Sequence, residues 1–355
     1  MLGSGLLKLA KIVVTILLLS SSIFYISINY GRTESVNGLV HTAPLTSTIE
    51  RGLPYQKDIL QFNGLYSLIG MESLKLKEKL GEPSRIDRSS YDYDWWVYNT
   101  NFNHYIQVGI ENDKVVTVFG TGNDVEVEPF KIGQPLAEIE RKGLIKSEIS
   151  LNVNKTPYRF VLTEQEMKTK PLISMGEVFI QLYVDTFTEK ISSVRFLDGK
   201  TLIKLRPYEL AYRGELLSAK KLSKSESMEV EKGNKAQIYD LTNIYRNRHG
   251  LHPLKGDEQL AEVAYLHSKD MQINDFFDHF SPTNGGLAER LEKGEISYQL
   301  AGENIAAKYV DGIAAVEGWL NSQGHRETLL NEEYNYLGVG VYEKYYTQNF
   351  IQKWK

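Results

Sequence analysis

The sequence predicts an α+β protein, and three observations carry that expectation. A middle segment from Leu65 to about Leu205 is written twice as helix, strand and hairpin. The C-terminal third opens with apolar residues at helical spacing, and it closes with strands at Tyr336–Tyr342 and Thr347–Lys353, the first alternating around Leu337, Val339 and Val341.

A chain of 355 residues is too long for one hydrophobic core and implies two or three domains. With 42% hydrophobic and 24% charged residues it has the composition of a folded protein, and a formal net charge of −4 supplies no basic field for nucleic acid. Cysteine is absent, which excludes disulfides, thiolate nucleophiles and a lipoprotein anchor. Any metal must therefore be held by His, Asp or Glu.

Lys8 and Lys11 precede a run from Ile12 to Tyr30 with no charged residue. The run approaches the roughly 20 residues needed to cross a bilayer, and the lysines favour a cytoplasmic N-terminus. Residues 1–31 therefore read as a signal anchor with the rest of the chain outside the cell membrane. A cleavable signal peptide, giving a secreted protein, is the competing reading, and a buried core helix is the third. Residues 32–55, polar and rich in Ser, Thr, Gly and Pro, read as a linker.

Residues 56–207 form the two-repeat α+β domain. Its first copy has a helical pattern at Ser73–Leu80 stopped by Gly81 and Pro83. Strand patterns follow at Trp95–Tyr98, Tyr105–Ile110 and Val115–Phe119, with a turn at Asn112-Asp113. The second copy starts at Ile132-Gly133-Gln134-Pro135, with apolar Leu136, Ile139 and Leu144, and continues with strands at Tyr158–Leu162, Val178–Val184 and Ile191–Phe196. Trp95, Trp96 and the tyrosines suit strand burial better than a glycan-stacking surface. Residues 208–232, rich in Lys, Ser and Glu, read as a solvated linker or helix end.

From Lys235, within a C-terminal domain spanning 233–355, Ile238, Leu241, Ile244 and Tyr245 share one helical face, ending at Gly250 before Pro253. Asp257 can cap a second helix whose stripe is Leu260, Val263, Ala264, His267 and Met271, and His267 on that stripe reads as a core histidine. Two glycine-punctuated segments at 276–286 and 301–307 follow, and then a helix from about Gly312 to Ser322 leads into Gly324-His325-Arg326.

The domain contains Asn243-x-x-Arg246-x-x-x-Gly250-Leu251, His267-Ser268-x-Asp270-Met271, His279-x-Ser281-Pro282, Gly302-Glu303-Asn304-Ile305-Ala306, Trp319-x-x-Ser322-x-Gly324-His325-Arg326 and Gly338-Val339-Gly340-Val341. In order and spacing these motifs resemble the bacterial CAP/SCP/PR-1-like (cysteine-rich secretory protein) family. The middle segment is similar to the CAP-associated N-terminal domain of Gram-positive bacteria. The resemblance implies an α-β-α sandwich with a cleft where His279, Glu303 and His325 converge. Many members outside bacteria carry a second glutamate where this chain has Ser322, a departure that weakens a catalytic reading. Glu317 falls on another side of the helix and does not replace it.

Two imidazoles and a carboxylate can hold zinc or another divalent cation, with His279 and His325 as ligands. The same three side chains can instead lock loops together, bind a cell-wall, peptide or lipid ligand, or serve a hydrolase in which Glu303 is the general base. Asn304 is expected to fix its loop, Arg326 to pair with a carboxylate, and Trp319 to lie in the core. Ser281 and Ser322 beside a histidine do not by themselves make a triad.

Overall fold

The computed structural model describes residues 63–354; the apolar run at Ile12–Tyr30 and the expected linker at 32–55 lie outside them. Among the described residues no helix is long and apolar enough to cross a membrane.

After a 3-10 turn at Gly64–Leu68, the first half runs α1 (Ser73–Leu80), β1 (Arg85–Arg88), β2 (Asp94–Asn101), β3 (His104–Glu111), β4 (Lys114–Thr121), α2 (Leu136–Glu140), β5 (Glu148–Val153) and β6 (Thr156–Val161). It continues with α3 (Glu164–Thr169), β7 (Leu172–Met175), β8 (Val178–Asp185), β9 (Lys190–Asp198), α4 (Gly199–Leu205) and β10 (Glu209–Tyr212). Seven strands form an antiparallel sheet in the order β1-β2-β3-β4-β9-β8-β7, while β10, β6 and β5 form a second sheet. Asn112 and Asp113 take the left-handed conformation that a tight β3–β4 hairpin needs.

The duplication is visible bond by bond. Gly70 N donates to Val115 O, and Gly133 N to Ile191 O; Val115 N donates to Met71 O, and Ile191 N to Gln134 O. The two copies meet where β4 pairs with β9. The second copy departs from the first at Tyr158–Leu162, whose strand β6 leaves for the smaller sheet, and the four-residue β7 takes the place that matches β2. Pairing with β10 draws β6 away, with Leu210 opposite Phe160.

The second half runs α5 (Lys224–Arg248), β11 (Lys255–Gly256), α6 (Glu258–Ile273), α7 (Leu287–Lys293), β12 (Leu300–Ala307), α8 (Gly312–Leu320), α9 (Gln323–Leu329), β13 (Tyr336–Tyr342) and β14 (Tyr345–Gln352). The helix expected from Lys235 starts at Lys224, because Ser223 and Glu226 form a capping box there. Residues 208–232 therefore contain β10 and the first turns of α5 as well as irregular chain. Asp257 caps α6 as expected, accepting from Leu260 N at 2.9 Å.

The C-terminal sheet, in the order β11-β13-β14-β12, lies between helices. Leu337, Val339 and Val341 of β13 join Ile238, Leu241 and Tyr245 of α5 in one core, while Leu260 and Val263 of α6 pack with Ile351 of β14. Between these valines Gly338 and Gly340 face α6 so closely that a methyl group on either would overlap helix backbone. This is the layer order the resemblance implies.

The two halves share the larger core, in which Trp95, Phe119 and Tyr183 pack with Ile244, Val316 and Trp319. Buried polar pairs cross the same interface, including Arg195 with Asp311 and Arg326 with Asp185. Glu317 belongs here too: the hydroxyls of Ser192, Ser193 and Tyr245 donate to its buried carboxylate, whose pKa burial raises despite them. It points away from the cleft, as its helical position predicts.

Candidate functional site

The loop after α6 presents His279, the middle of β12 supplies Glu303, and α9 supplies His325. Local bonds shape the loop: Asp278 Oδ1 accepts from Phe280 N at 2.8 Å, and the buried Ser281 hydroxyl donates to Asp270 at 2.5 Å. Ser281 therefore serves the turn. Asn304, next to Glu303 on β12, donates to His325 O at 3.0 Å and to Gln348 Oε1 at 3.3 Å, joining the strand to α9. Trp319 lies in the core, and its indole N–H donates to Ile305 O at 2.9 Å.

The structure brings the three candidate side chains together. His279 Nδ1 lies 2.9 Å from Glu303 Oε1, and the rings of His279 and His325 have centroids 6.4 Å apart. His279 is exposed at 55%, whereas the Glu303 side chain is only 3% exposed. The partner that sequence reasoning missed is Arg290 on α7. Its Nη2 donates to Glu303 Oε2 at 2.6 Å, and its Nη1 donates to the carbonyls of His279 and Gly285. No helical or strand pattern distinguishes Arg290 from a surface arginine; the only signal was its place on the helix following the His279 loop.

Electrostatics then fix the proton positions. Burial would raise the Glu303 carboxyl, but the hydrogen bond from His279 and the charge of Arg290 outweigh it and hold the pKa below the ordinary value. An ionised carboxylate only accepts, so His279 Nδ1 carries the hydrogen and its Nε2 keeps a lone pair when the ring is neutral. His267, buried as expected, donates from Nε2 to Asp278 O at 3.1 Å and sits 3.9 Å from Glu303 Oε1, with its pKa lowered mainly by burial. His325 Nδ1 is 2.9 Å from Ser322 Oγ.

Burial, with a smaller contribution from His279, lowers the His325 pKa to about 4. An unfolded histidine takes up its proton near 6.5. Between those values the unfolded chain binds more protons, so the contribution of this ring is complete above about pH 6.5 and is lost as the pH falls toward 4. Denaturation of the wild type and of His325→Gln at pH 7 and pH 4.5 should show the wild type losing on the order of 2 kcal/mol more over that interval. Equal losses would show that the ring titrates normally.

As a cation site, the donor set differs from a simple His-Glu-His trio. Among the described residues no three His, Asp or Glu side chains are arranged to hold a metal ion. Glu303 is committed to Arg290 and to His279, which leaves it the role of orienting a histidine rather than binding an ion. A cation there would be held by ring nitrogens of His279 and His325, with water completing the shell.

Arg326 pairs with a carboxylate, as expected, but that carboxylate is Asp185 on β8, in the other half of the chain. Most aromatics expected in the middle strands are buried, among them Trp95, Tyr105 and Tyr183. Trp96 is partly exposed, with Lys77 Nζ 5.0 Å from its ring centroid.

Comparison with known proteins gives concordant matches. Residues 69–208 match the CAP-associated N-terminal domain, and residues 239–354 match the cysteine-rich secretory protein family. The uncharacterized membrane protein YlbC of Bacillus subtilis is 49% identical over 292 residues, covering 82% of this chain and 84% of that protein. YkwD of the same organism is 41% identical over 119 residues, 33% of this chain and 46% of its own. Among solved structures, an extracellular protein containing an SCP domain from Bacillus anthracis has 47% identity and a TM-score of 0.79, covering 82% of this chain and 96% of that one. A cysteine-rich secretory protein from Staphylococcus aureus has 30% identity and a TM-score of 0.73, with coverage of 82% and 93%.

Proposed function

Because the chain belongs to the cysteine-rich secretory protein (CAP) family and carries the CAP-associated N-terminal domain, we propose that it is a membrane-held, extracytoplasmic protein that binds a ligand or divalent cation between His279 and His325. The apolar run at Ile12–Tyr30 supports the membrane attachment. The names of its relatives agree, one a membrane protein and another an extracellular protein.

The observation that carries the binding reading, over hydrolysis, is the engagement of Glu303. A general base needs a free carboxylate within reach of a water. Here one oxygen takes a guanidinium at 2.6 Å and the other an imidazole N–H at 2.9 Å, on a side chain 3% exposed. What faces outward is the His279 ring, 55% exposed, with the exposed Phe277 and Phe280 flanking it in the chain and the partly buried His325 beside it. That surface suits a ligand recognised by hydrogen bonds and apolar contact at the cell envelope.

Calorimetric titration of the full chain in detergent with zinc, beside a folded His279→Ala/His325→Ala double variant, tests the cation form of this reading. The wild type should release heat and the double variant should not. Heat from neither, or equal heat from both, would contradict it. Cleavage of wall peptide that Glu303→Gln abolishes would favour the hydrolase instead.

A further inference from the structure

We propose that the hairpin joining β8 and β9 in the CAP-associated half is a positioning element for the cleft, in which Asp185 and Thr186 set the place of His325. The proposal deepens the binding reading above, since it assigns the associated domain a part in that same site.

The segment from Asn321 to Arg326 is anchored at both ends. Asp185 Oδ1 and Oδ2 accept from Arg326 Nη1 and Nη2 at 3.1 and 3.0 Å, a two-pronged ion pair whose side chains are 8% and 13% exposed. Asn321 Oδ1 accepts from Thr186 N at 2.8 Å and from its hydroxyl at 2.9 Å, and Asn321 Nδ2 donates to Val184 O at 2.8 Å. Phe187 lies against the Arg326 guanidinium, 4.6 Å from centroid to carbon. Four consecutive hairpin residues thus grip two residues of the C-terminal half.

Between those two anchors lies His325, whose ring centroid is 6.4 Å from that of His279. Ser322 stands at the N-cap of α9, but its hydroxyl meets His325 Nδ1 and makes no capping bond to the helix. Arg326 N donates to Ser322 O at 2.7 Å, and Arg326 Nη1 to Leu320 O at 3.0 Å, closing the segment on itself. A segment pinned at 321 and 326 cannot shift without carrying His325, because one turn of chain separates the anchors.

A merely structural contact would lower stability everywhere alike, so the test reads the cleft locally. Full-length Asp185→Ala and, separately, Asn321→Ala are compared with the wild type in detergent. The readouts are amide hydrogen exchange and the ring nitrogen resonances of His325 and His279. We expect exchange at 321–326 to rise about tenfold or more while amides of β13 and β14 keep their rates, and the His325 ring resonances to move while those of His279 stay. Asp185→Glu, which retains the charge, should restore part of the wild-type pattern. A uniform rise across the fold, or unmoved His325 resonances in both variants, would overturn the proposal. Should Asp185→Ala fail to fold, Asn321→Ala retains the ion pair and decides alone. The readout is the ring itself, so a chain that takes up no zinc would sink the cation form of the binding reading and leave this one standing.

Discussion

Arg290→Ala is expected to cost about 3–5 kcal/mol of folding stability, measured by urea denaturation at neutral pH. The guanidinium is 5% exposed and its partner carboxylate 3%, so removing it leaves an ionised Glu303 in the interior with only histidines beside it. The same change frees the carbonyls of His279 and Gly285, which Arg290 also satisfies, and loosens the loop that presents His279. A second consequence follows for Glu303: with the positive charge gone, burial has less opposing it and the carboxyl pKa should rise. For comparison, disrupting the exposed pair of Arg159 and Glu148, both more than half exposed, should change stability by under about 1 kcal/mol. Equal effects from the two would show that the interior pair is not holding Glu303.

Gly340→Ala should be at least as damaging, costing about 3 kcal/mol or more, or preventing recovery of folded protein. A Cβ at this position would stand 1.9 Å from Tyr265 N and 2.2 Å from Ala264 C, and helix backbone has no rotamer with which to yield. Gly338 repeats the constraint against Leu260 and Ala261, so together the glycines let α6 lie directly on β13. His267 and Asp270 are on that helix, so a displaced α6 would disturb the cleft as well. Gly324 is the control: nothing lies within 4 Å of its Cβ direction, and alanine within α9 should be neutral or stabilising by up to about 1 kcal/mol. Comparable thermal melts for Gly340→Ala and the wild type would refute the close-packing account.

Much of this architecture is legible in the chain because local rules and tertiary packing agree. Ser73–Leu80 is bounded by Gly81 and Pro83, and the helix has those ends. The Asn112-Asp113 turn sets the β3–β4 hairpin, and the Gly-Val-Gly-Val alternation at 338–341 places valines on one face and glycines on the other. What escaped notice depends on partners far away in sequence. β7 has four residues and is a strand because β8 pairs with it. The pull of β10 on β6 across some fifty residues has no periodic signature.

The cleft shows the same division. The motifs placed His279, Glu303 and His325 near one another, but the meaning of Glu303 depends on Arg290, whose charge looks like any helical surface arginine until the fold buries it. Likewise Arg326 invited a carboxylate partner, yet nothing local could say that Asp185, 141 positions earlier, would supply it. Polar side chains satisfied across a shared core are set by three-dimensional complementarity, which neither helical nor strand period encodes.

The account rests on Glu303 being an anion that accepts a hydrogen bond from His279 Nδ1 and so leaves a bare Nε2 on a ring whose centroid is 6.4 Å from that of His325. Long-range proton–nitrogen correlation spectra of the imidazole rings test this directly, recorded at a pH where His279 is neutral. The account predicts that the neutral His279 ring carries its hydrogen on Nδ1, and that Glu303→Gln changes this tautomer balance while leaving unmoved the resonances of His249, whose ring bonds to Tyr245 O and Arg326 and not to Glu303. A neutral His279 protonated at Nε2 in the wild type would contradict it, since the ring would then have no lone pair to offer in the cleft.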